Sequence, residues 1–294
     1  MRSDLVKILD GGIGIYLRES GAPFEQPEWS ALALIEEPDS VRRAHLAFAE
    51  AGAGVITTNS YALVPFHIGE TRFLEDGPRL MKLAGSLAAE VRNESKNNLL
   101  VAASIPPVFG SYEPDKFKPN EAIPLLNMFK ENLIEFTDLV LAETVSSITE
   151  AKVIQDVFSD ISQPLWISFS LEDKHTKEPK LRSGELVTDA IGSLDLSNCQ
   201  ALLFNCNQPE IMEQALITAA PLLTNDTELG VYANGFKPDY NDKKANSGHS
   251  ELREDLTPDQ YLKFAKYWKS LGASIIGGCC GIGIAHIARL RELL

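Results

Sequence analysis

The sequence is short of basic residues and of long apolar runs. Its 27 lysines and arginines stand against 41 aspartates and glutamates, which gives a formal net charge of -14. Because nucleic acids and anionic membranes repel an acidic surface, small molecules are the expected ligands. No apolar run reaches the roughly 20 residues that cross a bilayer, and the first residues lack the apolar stretch of a secretory signal.

Cysteine is scarce as well. Four cysteines in 294 residues, two of them adjacent, make a poor disulfide framework. Cytosolic cysteines are more often reduced, buried, metal-bound or catalytic, so we expect a cytoplasmic protein. The hydrophobic fraction of 44% is that of a folded globular chain. Because no linker, repeat or low-complexity tract interrupts the sequence, we expect a single domain over residues 1–294.

Short aliphatic and β-branched runs alternate with amphipathic stretches along the whole chain. The helical stretches include 40–51, and 258–271 behind the capping residue Thr257. Such alternation favours parallel strands joined by crossover helices. The eight predicted strands are Val6–Asp10, Val55–Asn59, Leu99–Ser104, Leu139–Glu143, Leu165–Ser170, Ala201–Cys206, Gly230–Asn234 and Ser274–Cys279.

Each predicted strand finishes in a polar or reactive residue. For a single strand this only marks where the strand stops, but eight such ends favour a shared site. In a (β/α)8 TIM barrel all carboxyl ends of the strands meet at one mouth, whereas an open sheet spreads them along an edge. We therefore predict a TIM barrel. The most loop-like segments, Phe109–Lys118 and Phe236–Glu254, are expected to fold over its mouth.

The string Gly277-Gly278-Cys279-Cys280-Gly281 is the most unusual in the chain. Adjacent side chains on a regular strand point to opposite faces, so two sulfurs share one site only if flanking glycines let the backbone bend. Cys206, at the end of the sixth strand, would supply a third thiolate. Three protein ligands and an open fourth position are typical of catalytic zinc. On spacing alone, a phosphate-binding loop before the last helix is an equally good interpretation.

Six motifs lie at or near the ends of the predicted strands: Leu9-Asp10-Gly11-Gly12, Thr57-Thr58-Asn59-Ser60-Tyr61, Ala142-Glu143-Thr144, Phe204-Asn205-Cys206, Tyr232-Ala233-Asn234-Gly235-Phe236 and Gly277-Gly278-Cys279-Cys280-Gly281-Ile282-Gly283. These motifs resemble the homocysteine S-methyltransferase family of zinc-dependent enzymes, and the resemblance spans nearly the full chain. It implies a (β/α)8 barrel with zinc held by Cys206, Cys279 and Cys280, and it favours the metal over the phosphate.

The resemblance also implies how homocysteine binds. Asp10 and Glu143 are expected to bind its ammonium group, and backbone amides near Gly11 and Gly12 its carboxylate. Carboxylates at a partly dehydrated mouth suit a cation, and glycine lets an anion approach the backbone closely. Asn234 is expected to occupy the fourth zinc position, or to hydrogen-bond near it, when substrate is absent.

The implied reaction transfers a methyl group from a sulfonium, S-methylmethionine or S-adenosylmethionine, to homocysteine and forms methionine. Thr144 replaces the tyrosine of the betaine-dependent enzyme, which argues against a betaine donor. The segment 105–112 departs from the family's Pro-Tyr-Gly-type loop and leaves the donor side open. We expect three aromatic side chains, Trp29, Tyr61 and Phe66, to attract the donor cation.

Other functions fit parts of this pattern. The chain could methylate another thiol, including a seleno-analogue of homocysteine, or accept the methyl group from a corrinoid protein. It could also be a zinc-binding or thiol-sensing barrel without turnover. Cys199 precedes its strand and the five histidines show no metal-ligand pairing, so none of these is assigned a role.

Overall fold

The computed structural model describes residues 6–237 and 251–293. Its eight strands are all parallel and form one sheet in the order β1-β8-β7-β6-β5-β4-β3-β2. The strands are β1 Lys7–Ile8, β2 Val55–Thr57, β3 Leu100–Ile105, β4 Leu139–Val145, β5 Leu165–Phe169, β6 Ala201–Asn205, β7 Glu228–Ala233 and β8 Ile275–Gly278.

The sheet closes between its first two strands. Leu9 and Val55 form a parallel bridge. The N–H of Asp10 donates to the carbonyl of Val55 at 2.9 Å, and that of Gly54 to the carbonyl of Ile8 at 2.8 Å. The predicted (β/α)8 barrel is therefore confirmed, and each predicted strand overlaps an observed one. Parallel strands that are buried on both faces appear in a sequence as continuous apolar runs, which is why their positions could be predicted.

Helices cover the outside of the barrel. The side chain of Thr257 caps its helix, as predicted, by accepting from the N–H of Gln260 at 3.4 Å. The helices are α1 Ile13–Glu19, α2 Ser30–Glu36, α3 Pro38–Ala51, α4 Pro65–Ile68, α5 Glu70–Glu94, α6 Pro119–Leu133, α7 Ile148–Val157, α8 Val187–Ser193, α9 Met212–Ala219, α10 Pro258–Ser270 and α11 Ile284–Leu290.

Some features depart from the simple alternation. Two helices, α1 and α2, stand between β1 and the expected helix α3. Helix α5 runs for 25 residues through Pro78. Of the predicted loop Phe236–Glu254, residues 238–250 lie outside the described residues. No helix in the described ranges is both long and apolar enough to cross a membrane.

The core has two layers. One fills the space between sheet and helices, and the other fills the barrel itself with side chains that include Leu141, Trp166, Leu203 and Ile275. Because the interior of the barrel is packed with apolar side chains, the polar groups on its strands collect where the strands end. The carboxyl ends of the strands thus form the one face of the barrel that the sequence marks as reactive.

Candidate active site

Three sulfur atoms converge at the carboxyl ends of β6 and β8. Cys206 follows β6, whereas Cys279 and Cys280 follow β8, and their sulfurs all lie within 4.8 Å of one another. Sulfurs bound to one zinc ion at about 2.3 Å each are separated by no more than about 4.6 Å. The three thiols are therefore close enough for a small shift to bring all of them onto a single metal ion.

Glycines let the two adjacent cysteines face the same site. A side chain at Gly278 would place its Cβ 2.2 Å from the side chain of Ile282, and Gly281 has a φ of +81°. The N–H of Ile282 closes this turn by donating to the carbonyl of Cys279 at 3.1 Å. The chain thus leaves the strand at the first cysteine, which removes the alternation that would send the second sulfur away.

Cys206 is held from behind by Asn234. Cys206 has a φ of +58°, a conformation that non-glycine residues rarely adopt. Its carbonyl accepts from the side-chain amide of Asn234 at 2.9 Å. The oxygen of that amide accepts from Gln208 and from the N–H of Phe236, both at 3.2 Å. Asn234 is thus placed beside the cysteine cluster, with its amide engaged in bonds that position the backbone of Cys206.

The cluster distributes charge unequally among its thiols. Hydrogen bonds from Cys206 and Cys279 lower the pKa of Cys280 well below its usual range. The same contacts raise the pKa of Cys279, because its proton is held between neighbouring sulfurs. A divalent cation bound by these sulfurs would displace the protons that they hold.

Asp10 and Glu143 line the same cavity as the three sulfurs. The N–H of Thr57 donates to Asp10 at 2.7 Å, and burial raises the pKa of Asp10 to about 8. Ser104 and Tyr232 donate to Glu143, the latter at 3.3 Å, and burial raises its pKa to about 7. No ion pair among the described residues involves either carboxyl, and two buried carboxyls of this kind favour binding of a positively charged group.

Hydrogen bonds through Asn205 connect β4, which contains Glu143, to β6, which Cys206 follows. Thr144 has a φ of +61°. Its N–H donates to the side-chain oxygen of Asn205 at 2.9 Å, and the amide of Asn205 donates back to the Thr144 hydroxyl at 2.9 Å. Ser168 also donates to Asn205, at 2.8 Å. The fully buried Asn205 therefore fixes the spacing between the carboxylate and the neighbouring cysteine.

Gly11 and Gly12 allow the chain after β1 to pack on the turn after β8. A Cβ at Gly11 would lie 2.2 Å from the carbonyl oxygen of Ile282, and one at Gly12 would lie 2.7 Å from that of Cys279. The N–H of Gly12 already donates to Ile282 at 2.9 Å. A bound carboxylate would compete with that carbonyl for the Gly12 donor, so its expected place beside these glycines stays a prediction.

The three cysteines and the two carboxyls open into one cavity of about 1130 Å³. The two aromatic side chains of Trp29 and Tyr61 also line it, whereas Phe66 is absent from its wall and packs near Lys116. The predicted site residues that share this cavity are Asp10, Gly11, Gly12, Glu143, Cys206, Asn234, Cys279 and Cys280.

Comparison with known proteins identifies the family. The sequence model of the homocysteine S-methyltransferase family matches residues 7–294. The chain belongs to this family. Homocysteine S-methyltransferase 1 of Arabidopsis thaliana is 29% identical, with 94% of this chain and 91% of that protein covered. The homocysteine S-methyltransferase YbgG of Bacillus subtilis is also 29% identical, with 93% and 89% covered.

A solved structure supports the same family. The homocysteine methyltransferase MmuM from Escherichia coli, in a metallated form, superposes with a TM-score of 0.79 at 26% identity. The alignment covers 99% of this chain and 96% of MmuM. The family fold and the three convergent thiols together fit a metal-dependent enzyme of this family.

Sequence reasoning missed one side chain at the cluster, that of Tyr112. Its hydroxyl donates to the sulfur of Cys206 at 2.8 Å, and its φ is +66°. The guanidinium of Arg182 lies 4.8 Å from the ring centroid, within cation–π range. Tyr112 belongs to the segment Phe109–Lys118, which the sequence predicts to fold over the mouth of the barrel. That prediction was the available indication that Tyr112 could approach the cysteines.

Cys199 and His45 are buried and do not line the cavity. The buried thiol of Cys199 donates to the carbonyl of Ala201 at 3.2 Å, and burial raises its pKa to about 12. His45 is fully buried in α3, and desolvation lowers its pKa to about 4. His249 lies outside the described residues.

Proposed function

We propose that the protein binds zinc through Cys206, Cys279 and Cys280 and transfers a methyl group from a sulfonium donor to homocysteine, forming methionine. The observation that carries this proposal is the convergence of three thiols and two buried carboxyls on one cavity. The sulfurs supply a site for the metal, and the carboxyls supply a site for the ammonium group of an amino acid.

The donor set supports zinc in particular. Thiolates are soft ligands that favour zinc, copper(I) or iron–sulfur clusters over hard cations such as magnesium. Three thiolates leave one coordination position for a substrate. Zinc bound there would supply the acidification of a substrate thiol, which otherwise has a pKa near 8.5.

The chain's own residues then hold homocysteine. Asp10 and Glu143 are both buried and both carry raised pKa values, so an ammonium group placed between them is favoured over two unpaired charges. The hydrogen bonds between Thr144 and Asn205 keep Glu143 at a fixed distance from Cys206. A substrate held by its head group at the carboxyls therefore directs its sulfur toward the cysteines.

The transfer itself needs no general acid or base. The sulfur of homocysteine, once it has lost its proton, donates an electron pair to the methyl carbon of the donor. The bond between that carbon and the sulfonium sulfur breaks, and its electrons remain on the departing thioether, which leaves neutral. Because opposite charges cancel in this step, an enclosed cavity with little water accelerates it.

The test is methionine formation by zinc-loaded protein from homocysteine and S-methylmethionine, with S-adenosylmethionine and betaine as further donors. The Cys280→Ser variant, in which zinc binding is lost, is expected to form no methionine. Activity that persists in this variant at full rate would contradict the zinc-thiolate mechanism. No product from any of these donors would favour a corrinoid-protein donor or a barrel without turnover.

Two further proposals concern the chain as a whole. We propose that residues 1–294 form a single homocysteine-binding barrel domain, since the strands that close the barrel come from both ends of the described chain. We also propose that it acts in the cytoplasm, because three thiols this close to one another remain reduced most readily in a reducing compartment.

A further inference from the structure

The loop between β5 and α8 forms one wall of the cavity. It spans residues 170–186 and carries two internal bridges, Leu171 with Leu181 and Lys180 with Leu186. The N–H of Leu171 donates to the side chain of Asn207 at 2.8 Å, which ties the loop to the segment after Cys206. These bridges and this hydrogen bond hold the loop in a defined conformation.

This loop places the cation of Arg182 in the cavity wall. Its Nε donates to the hydroxyl of Ser170 at 3.2 Å and its Nη2 to Asp173 at 2.8 Å. The described contacts leave its Nη1 without a partner, and the side chain retains 20% exposure. Asp173 also accepts from Asn207 at 2.7 Å, so both charges are fixed in place.

The distance from this pair to the cysteine cluster is limited by Tyr112. The guanidinium lies 4.8 Å from the Tyr112 ring centroid, and the hydroxyl of that ring lies 2.8 Å from the sulfur of Cys206. When the distance from the ring centroid to its hydroxyl oxygen is added, the guanidinium of Arg182 lies within roughly 10 Å of the Cys206 sulfur. Because Arg182 also lines the cavity, it is within reach of a donor molecule that delivers its methyl group to the cluster.

The sign of the charge restricts the donor. A guanidinium repels a simple sulfonium cation and lowers its local concentration. It attracts a sulfonium that also carries a carboxylate, because guanidinium binds carboxylate by directed, charge-assisted hydrogen bonds. The neighbouring carboxylate of Asp173 adds an acceptor for an ammonium group. Side by side, the two residues match the zwitterionic head group of an amino acid.

We propose that Arg182 and Asp173 bind the α-carboxylate and α-ammonium of a methionine-type sulfonium donor, at a site separate from the homocysteine site at Asp10 and Glu143. This inference rests on the proposed function. Five bonds separate the methyl carbon of such a donor from its carboxylate carbon, an extended reach of about 6 Å, whereas betaine offers three bonds and about 3.5 Å. The longer donor is the better match to the distance between the arginine and the cluster.

The test compares donors with and without a carboxylate. Arg182→Met removes the charge and keeps an unbranched, flexible stem. With homocysteine saturating, its KM for S-methylmethionine is expected to rise at least about tenfold, the usual effect of losing a charge-assisted hydrogen bond. The KM for trimethylsulfonium, which has no carboxylate, is expected to stay unchanged or fall. Parallel measurements with S-adenosylmethionine show which methionine sulfonium the site accepts.

Binding without turnover provides a second measurement. Calorimetric titration of S-methylmethionine into zinc-loaded protein, with no homocysteine present, is expected to show the same loss of affinity in Arg182→Met. Lys177→Met, a change of an exposed cation on the same loop that does not line the cavity, is the matched control and is expected to retain wild-type values. Arg182→Lys is expected to recover part of the affinity.

Two results would overturn the assignment. If KM rises by the same factor for trimethylsulfonium, Arg182 acts through Tyr112 or through the loop and does not bind a carboxylate. If KM and calorimetric affinity for S-methylmethionine are unchanged, the donor lies elsewhere. Failure of the proposed function looks different, since the wild type itself would then form no methionine from any sulfonium.

Discussion

Asp10 and Glu143 are expected to make amino-acid binding at this site depend on pH. In the ligand-free protein, burial raises the pKa of Asp10 to about 8 and that of Glu143 to about 7. An ammonium group binds the ionised carboxylates, so binding of the head group releases the protons they hold. Affinity for the head group should therefore increase as pH rises from 6 to 8.

The magnitude follows from the raised pKa of Asp10. Each pH unit below that pKa, about 8, adds about 1.4 kcal/mol to the free energy of ionising the group. At pH 6, ionising Asp10 therefore weakens binding on the order of 100-fold relative to a pH well above 8. Protonation of Glu143 weakens it further below pH 7.

The assay should separate this effect from deprotonation of the substrate thiol. Norleucine has an amino-acid head group and a side chain of similar length but no thiol. Calorimetry of norleucine binding to zinc-loaded protein at pH 6, 7 and 8, in buffers of different ionisation enthalpy, gives both the affinity and the number of protons released. Asp10→Asn is expected to bind more weakly at pH 8 and to show a smaller change with pH.

Glu150→Gln is the matched control for this experiment. Glu150, in the first turn of α7, is also buried, and burial raises its pKa to about 7. Its carboxylate accepts from the N–H of Ser146, however, and it does not line the cavity. The pH dependence of norleucine affinity should be the same in this variant as in wild type. Equal affinities at pH 6 and pH 8 in the wild type would refute the reasoning.

Stability of the ligand-free protein should change with pH in the opposite direction. The folded pKa of Asp10 is raised above its unfolded value of 3.8, so the folded state holds this proton more tightly than the unfolded state does. The stabilisation is fully present below about pH 4 and is lost as pH rises toward 8. Thermal melts should show a smaller loss over this window in Asp10→Asn than in wild type.

Three further predictions concern the cysteine cluster and its packing. Tyr112→Phe removes the hydrogen bond to the Cys206 sulfur, and a loss of about 1 kcal/mol should lower zinc affinity several-fold in chelator competition; an unchanged affinity would mean that the bond does not persist with metal bound. Gly11→Ala places a methyl carbon 2.2 Å from a carbonyl oxygen and should lower the melting temperature by several degrees, whereas Gly54→Ala, with 3.8 Å available, serves as the control. Cys199→Ser should keep one zinc per chain by atomic absorption, and Cys206→Ser should not; equal zinc loss in both would contradict the assigned ligand set.

Much of the site could be predicted from the sequence because the barrel brings strand ends together. Asp10, Glu143 and Cys206 each directly follow or end an apolar run, so a correct fold placed them in one cavity without further information. The contact of Tyr112 with Cys206 could not be predicted in this way. It depends on how a loop without periodicity folds back over the mouth, and on a positive φ at a tyrosine that local preferences disfavour.

The wall formed by residues 170–186 escaped sequence reasoning for the same reason. Arg182 and Asp173 are close in sequence, but their pairing and the position of the guanidinium over Tyr112 come from bridges within the loop. Hydrophobic periodicity carries no information about such polar contacts. Helices α1 and α2 were also missed, because they interrupt the regular alternation before α3.

The late position of β8 in the chain also affects how the metal site forms during synthesis. β8 pairs with β1 and is followed at once by Cys279 and Cys280, whereas Cys206 is made long before them. A nascent chain that has not yet released β8 from the ribosome has an open sheet and one of its three sulfurs. Completion of the fold and creation of the metal site are thus one event, so a partly made chain cannot capture metal at a finished site.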